Sequence, residues 1–445
     1  MKRVWRLCTL VLLSSLAGCA SYSEKTLSAR SALDAGRPKE ALQIYNEKLG
    51  VESASELPEE VGGENTLLLL DRAMILQELE DFQNSSRDLE IADKQIEVLD
   101  FSRGAVDDIG KYLFSDSTGP YRAPIYEKLL INTANMANYL ARGDLNGARV
   151  EARRLAVMQK FVADHEGHGE QLTGPGSYLA GFVFEKSNDA DTALRYYDEA
   201  LQITRFESLR GPLRRLGQRS SYRTSRLKEL IGEEASAGEP EPAPSEVLLI
   251  VNYGRVPAKE PKRIPIGLAL TYASGIISPT DAARANELAA QGLVTWVNFP
   301  VLGESPKGGF RTPTARVDGK QIPIELALAV DVEARNTWDA ARGTVVASAI
   351  TRMIARVLAG ETTRRAAGGG IIGTLLSLGT QATLTATDVP DTRSWSTLPG
   401  RVALARLELP PGVHEIELAA SGARRTARVE LGEGDWAAIV LTVLR

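Results

Sequence analysis

Cysteine and histidine are scarce in this chain of 445 residues, which has two cysteines and three histidines. These counts exclude a disulfide framework, a cysteine-rich zinc site and a haem attachment motif. The chain also lacks the glycine-lysine phosphate loop of P-loop NTPases and the serine nucleophile elbow of α/β-hydrolases, so the common NTPase and hydrolase motifs are absent. We therefore predict that the protein is not an enzyme and binds no cofactor.

Excess positive charge is also missing, since 52 Lys and Arg stand against 57 Asp and Glu, for a net charge of −5. Removal of the first residues, which carry Lys2, Arg3 and Arg6, would make the remainder more acidic. An acidic chain is a poor candidate for non-specific nucleic-acid binding. The 43% of hydrophobic residues is enough to form real cores, and the length suits about two to three domains.

The first residues follow the plan of a secretory signal peptide, with a short basic start, an apolar core and small residues at the end. Met1 to Arg6 is basic, and Leu7 to Leu16 is apolar but too short to cross a bilayer. The segment closes with Leu16-Ala17-Gly18-Cys19. We predict that residues 1–18 are a signal peptide that is removed.

The closing residues Leu16 to Cys19 resemble the lipobox of bacterial lipoproteins. The resemblance implies that Cys19 becomes the first residue of the mature chain and carries diacylglyceryl and N-acyl lipid. Two or more acyl chains hold a protein stably on a membrane. By resemblance to proteobacterial lipoproteins, Ala20 directly after the cysteine implies transport to the outer membrane. We expect the protein to face the periplasm there, although this residue does not fix the leaflet. An ordinary signal peptide with an incidental cysteine is the alternative.

Small residues recur at helical spacing in residues 19–231, and this pattern predicts an all-α domain of helical hairpins. The residues expected where paired helices cross are Ala41, Ser85, Ala148 and Ala193. The pattern resembles tetratricopeptide repeats, although separations of 44, 63 and 45 residues require insertions in a repeat of about 34. Turns are predicted at 36–38 and 143–145. A plain helical bundle with chance alanines is the alternative.

Residues 232–245 are rich in proline, glutamate and alanine, which predicts a linker between two domains. Residues 246–445 are predicted to form a mixed, β-rich domain. The expected strands include Val247–Tyr253, Leu293–Phe299, a hairpin over 315–322 turning at Asp318-Gly319, Val402–Leu409, Val413–Ala419, Thr426–Leu431 and Ala437–Leu444. The last four are predicted to be a terminal β-meander, and an apolar stripe from Trp338 to Leu358 predicts a helix. The predicted fold class is α+β.

Three side chains close together in a turn-rich segment, Asp391, Arg393 and Trp395, are a candidate interaction site. Arg393 over Trp395 would form a cation–π or ligand-stacking surface. The alternative is that these residues pin a loop to the sheet. His165 and His168 could in principle hold a metal, but the glycines around His168 argue against a rigid site, so no metal site is predicted.

A longer resemblance covers most of the mature chain. It rests on four stretches: Leu16 to Cys19, Leu67 to Ile75 with Asp81-Phe82, Glu151 to Arg154, and Asp391 to Trp395 with Leu398-Pro399. They resemble a family of tetratricopeptide-containing lipoproteins of proteobacteria. The resemblance implies a fold and a location but no reaction.

Two functions of different classes follow from these observations. Stacked hairpins form a concave face suited to extended partners, which favours a periplasmic scaffold for envelope proteins, anchored to the outer membrane through Cys19. The alternative is a cell-wall factor that binds or activates a peptidoglycan synthase, similar to lipoproteins that pair helical repeats with a second domain. No nucleic-acid partner is expected.

Overall fold

The computed structural model describes residues 20–101, 121, 123–165, 170–231, 244–292, 296–304, 310–366 and 389–445. The predicted signal peptide, Cys19, His168 and most of the predicted linker lie outside these residues.

Helices fill the N-terminal half, as predicted. They are α1 (Tyr22–Lys25), α2 (Leu27–Asp34), α3 (Pro38–Leu49), α4 (Glu64–Glu78), α5 (Phe82–Phe101), α6 (Ile125–Ala141), α7 (Leu145–His165), α8 (Gly174–Lys186), α9 (Ala190–Ile203), α10 (Arg210–Arg219) and α11 (Ser225–Ile231). Short 3₁₀ turns lie at Glu170–Thr173 and Glu207–Leu209.

Four helical hairpins, α2/α3, α4/α5, α6/α7 and α8/α9, share one kind of turn. In each turn one residue has positive φ, and these residues are Gly36 (68°), Glu80 (63°), Gly143 (71°) and Asn188 (61°). The N–H of the next residue then donates to a carbonyl five residues back, as Arg37 does to Ala32 at 2.8 Å. This bond closes a helix end without leaving its carbonyls unpaired. The turns predicted at 36–38 and 143–145 are confirmed.

The four small residues expected at helix crossings occupy equivalent places in these hairpins. Each lies in the second helix, five residues after the positive-φ residue: Ala41, Ser85, Ala148 and Ala193. All four are fully buried. The Ser85 hydroxyl also donates to the backbone carbonyl of Ala73 on the partner helix at 2.8 Å, which shows how closely the two backbones approach. A larger side chain at these positions would separate the helices.

Strands dominate the C-terminal half. They are β1 (Ser245–Tyr253), β2 (Lys259–Pro265), β3 (Trp296–Leu302), β4 (Thr314–Val317), β5 (Lys320–Ile322), β6 (Glu325–Ala329), β7 (Arg401–Leu409), β8 (Gly412–Ala420), β9 (Ala423–Leu431) and β10 (Trp436–Val443). Three further helices are α12 (Ile266–Tyr272), α13 (Pro279–Ala290) and α14 (Val330–Ala366). The predicted helical stripe lies on α14. Its residues from Trp338 to Ile354 are mostly buried, whereas Leu358, the last residue of the stripe, is exposed.

The predicted terminal β-meander is wrong, although its four strands exist. β7 pairs with β1 and β6, β8 and β9 pair with each other in a different sheet, and β10 pairs with β1 in parallel. The two four-stranded sheets have the orders β10-β1-β7-β6 and β5-β4-β8-β9, and β2 and β3 form a separate ribbon. Alternating apolar residues reveal where strands lie but not which strands pair, because pairing depends on long-range packing.

The two four-stranded sheets pack face to face as a sandwich. Their shared core contains residues of β1, β4, β7, β8, β9 and β10, for example Leu249, Ile416 and Leu441. At the β4–β5 turn Asp318 (φ 51°) and Gly319 (φ 77°) have the positive φ values of a type I′ turn, so the predicted hairpin is confirmed.

The opposite face of the β1 sheet packs against the helices. The first helices of three hairpins, α4, α6 and α8, contact this sheet. One apolar cluster includes residues from the hairpins together with Leu248, Ile250 and Val440 of the sheet. The predicted linker 232–245 does fall between α11 and β1, but the division into two domains stays a prediction.

The ribbon of β2 and β3 packs with α12, α13 and α14 around a second, smaller cluster. Ile264, Phe299 and Ile350 are among its buried members. No helix within the described ranges has both the length and the apolar character needed to cross a bilayer.

We expect Ala193→Leu to lower the free energy of unfolding by about 1–3 kcal/mol, because the added atoms overpack the contact between α8 and α9. Urea denaturation of the purified chain measures the change. Ala283→Leu, at an exposed position on α13, is the matched control and should change stability by less than about 0.5 kcal/mol. Equal effects of the two substitutions would contradict close packing at Ala193.

Candidate functional site

A buried segment without regular secondary structure, Asp391 to Thr397, crosses the helical half of the molecule; we call it the inserted segment. Trp395 is its largest side chain and is 1% exposed. The Trp395 indole N–H donates to the carbonyl of Leu70 on α4 at 3.0 Å, and its backbone N–H donates to Glu127 on α6 at 3.0 Å. Buried irregular backbone must find such partners, because water cannot reach it.

Asp71 on α4 is the centre of the polar contacts made by the inserted segment. Its fully buried carboxylate accepts hydrogen bonds from the Tyr22 hydroxyl (2.6 Å) and the Tyr45 hydroxyl (2.9 Å). It also accepts from the Thr397 backbone N–H (2.9 Å) and hydroxyl (3.0 Å), and from the Ser396 hydroxyl (3.1 Å). The Asp71 carboxylate therefore binds donors from both the N-terminal helices and the C-terminal half.

Burial raises the pKa of both kinds of group at this centre, the carboxyl and the tyrosine hydroxyls. Desolvation raises the pKa of Asp71 above its usual range, although hydrogen bonds from Tyr22 and Thr397 act against the rise. Burial, together with the charge of Asp71, raises the pKa of Tyr22 well above 10. Both tyrosines thus stay protonated and able to donate, which is what a buried carboxylate needs.

Arg72, the neighbour of Asp71, ties adjacent hairpins together. Its guanidinium makes a fully buried ion pair with Asp88 on α5 at 2.6 Å and donates to Asn46 on α3 at 3.1 Å. It also donates to the carbonyl of Glu56 at 3.0 Å. The fixed fork of arginine suits several acceptors at once.

Glu127 is a second buried carboxyl beside the inserted segment. It accepts the Trp395 backbone N–H and a short hydrogen bond from the Tyr121 hydroxyl. Burial raises the pKa of Glu127 to about 7, against the effects of these hydrogen bonds and of the nearby Lys259 charge. Burial lowers the pKa of Lys259, while Asp391 and Glu127 oppose that change. Of these groups, Glu127 is thus the one whose protonation is expected to change near neutral pH.

The predicted interaction residues lie inside the protein. The Arg393 guanidinium makes a bidentate ion pair with Asp391, in which Nε and Nη2 donate to the carboxylate oxygens at 2.9 and 2.7 Å. Trp395 is held separately through Leu70 and Glu127 on helices. The Ser394 hydroxyl also accepts the backbone N–H of Lys259 on β2 at 3.3 Å, so the segment is held by both helices and the β2–β3 ribbon. The predicted role of Asp391, Arg393 and Trp395 in binding stays a prediction, and a partner would reach them only after the segment moved.

Two further polar clusters join the helices to the β1 sheet. The Gln77 amide of α4 bonds to Asn138 on α6 (2.8 Å), Asn252 on β1 (3.0 Å) and Thr442 on β10 (2.7 Å). Beside them a cavity of about 20 Å³, lined by Met74 and other largely apolar residues of both layers, has room for about one water molecule. This cluster contacts both layers and fixes their relative position.

The second cluster is ionic. Arg406 on β7 bonds to Glu185 on α8 at 2.6 Å and to Glu246 on β1 at 2.5 Å, and it donates to the Tyr197 hydroxyl at 2.9 Å. Lys186 forms a short contact with Glu246. The charge of Arg406 lowers the pKa of Glu185 to about 2, although burial opposes this.

Sequence reasoning missed Asp71, Glu127 and Arg406, yet a signal existed for two of them. Asp71 and Arg72 interrupt the apolar run from Leu67 to Ile75, in a helix buried on all sides. Arg406 occupies the same strand face as Leu404, where an apolar residue is expected. A charged residue within a run of residues that are expected to be buried indicates that it has a buried polar partner. Glu127 has no comparable signal in the sequence.

Within the part of the chain that the structure describes, no group of three or more His, Cys, Asp or Glu side chains is placed to hold a metal. The basic stretch from Arg205 to Lys228 includes several ion pairs, among them those of Arg205 with Glu207 (2.6 Å) and Arg226 with Asp198 (2.7 Å).

We expect Trp395→Ala to lower the free energy of unfolding by about 3–5 kcal/mol, because it removes a buried indole and leaves the Leu70 carbonyl unpaired. Trp296→Ala, at a position 47% exposed, is the matched control and should cost far less. Urea denaturation compares the two. Similar losses would show that the inserted segment adds little to the fold.

Glu127→Gln should make stability less dependent on pH. The folded-state pKa of about 7 lies above the value of 4.5 for an unperturbed glutamate, so the wild-type chain loses stability as pH rises from 4.5 through 7. Glutamine has no proton to lose and keeps an acceptor for the Trp395 N–H. Urea denaturation at about pH 5 and about pH 8 measures the difference.

The matched control is Glu47→Gln, on the exposed side of α3, which should follow the wild-type profile. An unchanged wild-type profile in Glu127→Gln would show that Glu127 does not titrate in this range.

The chain matches no protein-family model, and comparison with curated proteins and with solved structures also finds no match.

Proposed function

We propose that this protein is an outer-membrane lipoprotein, anchored through Cys19, that serves as a periplasmic scaffold for envelope proteins. The pattern from Leu16 to Cys19 supports the anchor. The four hairpins with equivalent turns support tetratricopeptide-like repeats, whose usual use is protein binding.

The surface that binds a partner differs from the one that the repeat pattern suggests. The first helices of three hairpins are covered by the β1 sheet of the same chain. The second helices remain available, and α7 carries Val150 and Val157, which are 48% and 66% exposed. They are seven residues apart, about two helical turns, and so lie on one face. This exposed apolar pair is the observation that carries the proposal.

Site-specific photocrosslinking in intact cells tests the proposal. A photoreactive amino acid at Val157 should give a discrete protein adduct, whereas the same amino acid at Val413, which is 47% exposed on β8, should not. Cys19→Ser, combined with the photoreactive amino acid at Val157, provides the second control, because without lipid the protein should leave the membrane fraction and lose the adduct.

A peptidoglycan synthase in the adduct would favour the cell-wall function over a general scaffold. Equal crosslinking from Val157 and Val413 would contradict a specific binding face. Acyl chains that persist in Cys19→Ser would contradict the anchor.

A further inference from the structure

The chain enters its folded core almost immediately after the predicted anchor. Only Ala20 separates Cys19 from Ser21, which is buried and donates its backbone N–H to Glu24 at 2.8 Å. Tyr22 reaches Asp71, and the Ser23 N–H donates to Thr392 of the inserted segment at 3.0 Å. The folded body therefore has no flexible tether beyond this single residue.

From this we infer that one face of the body, which bears Lys25, Leu27 and Trp296, rests directly on the bilayer. We call it the anchor face. The inference rests on the proposed lipid attachment and adds to it the orientation of the protein and its second contact with lipid.

Covalent geometry places Lys25 and Leu27 beside the lipid. Acyl chains on Cys19 would hold that residue at the headgroup layer, which is about 5–7 Å thick on each side of a bilayer. Two Cα steps of about 3.8 Å are the farthest that Ser21 can lie from Cys19. Lys25 lies one helical turn beyond Ser21, about 6 Å along α1. While α1 is folded, Lys25 therefore lies within about 14 Å of Cys19, and Leu27 follows two residues later at the start of α2.

The chemistry of the two residues suits that position. Lys25 is exposed and pairs with Glu64 at 2.8 Å, a contact open to solvent that an anionic headgroup can replace. Leu27, at the start of α2, is 55% exposed. An apolar side chain beside a cation is typical of a surface that lies in the interfacial layer.

The ribbon of β2 and β3 contacts α1 and leads to Trp296, which we assign to the anchor face. Lys259 and Arg263 are four residues apart on β2, so they point to the same side of the ribbon. Lys259 is buried at the inserted segment, where its backbone N–H donates to Ser394 at 3.3 Å, and α1 contacts the same strand. Arg263 is uncovered and lies over the ring of Trp296, 5.5 Å from its centroid. Tryptophan beside arginine is characteristic of membrane interfaces.

Chemical attachment of the mature chain to vesicles tests the inference. Cys19 is its only cysteine, since Cys8 leaves with the signal peptide, so the Cys19 thiol can be coupled to a maleimide lipid. The vesicles contain phosphatidylcholine with or without anionic phosphatidylglycerol, and brominated acyl chains in a parallel set. Amine acetylation followed by mass spectrometry reports each lysine, and tryptophan emission reports contact with brominated lipid.

We expect attachment to slow acetylation of Lys25 several-fold relative to the free chain, more strongly on anionic vesicles. Exposed lysines elsewhere are internal controls and should keep their rates: Lys48, Lys228 and Lys320. Brominated lipid should quench part of the emission, and Trp296→Phe should remove most of that quenching, because Trp338 and Trp395 are buried and Trp436 is partly buried.

An unchanged rate at Lys25, or no quenching that depends on Trp296, would overturn the inference. Both readouts use an attachment made in vitro, so they do not depend on acylation in the cell. Native protein that lacks acyl chains would contradict the proposed function and leave this result standing.

Discussion

The structure depends on one buried carboxylate, Asp71, and on the donors that surround it. A carboxylate that is removed from water costs several kcal/mol unless hydrogen bonds replace the lost solvent. Here the hydroxyls of Tyr22 and Tyr45 come from the N-terminal helices, and Ser396 and Thr397 come from a segment more than 300 residues later in the chain. Loss of either group would leave Asp71 incompletely paired, so the two halves of the chain support each other.

This constraint explains why the inserted segment is irregular yet buried. Helices and paired strands satisfy their backbone groups in regular hydrogen-bond patterns, whereas this segment relies on Asp71, Glu127 and the Leu70 carbonyl for its partners. The interface between the helices and the β1 sheet contains the Gln77 and Arg406 clusters, which place polar contacts at fixed points within an otherwise apolar layer. Such contacts favour one relative position of helices and sheet over others that bury similar apolar area.

The contact between the β1 sheet and the hairpins also decides which helical surface is open to a partner. An open array of hairpins offers a concave surface to a partner, but here the β1 sheet lies against α4, α6 and α8. Partner binding is therefore proposed for the exposed face of α7, and membrane contact for the anchor face around α1. The two proposed surfaces belong to different helices, α7 and α1, so binding at one would not occupy the residues of the other.

Local structural features could be predicted from the sequence. The helix crossings at Ala41 and Ala193, the turn at Gly143 and the Asp318-Gly319 hairpin each follow from residue size or backbone freedom over a few positions. Strand pairing, the partners of Arg393 and Trp395, and the meeting of Asp71 with Thr397 were decided only by the tertiary structure. They join residues far apart in the chain, and an alternating or charged pattern contains no information about which distant group will share its burial.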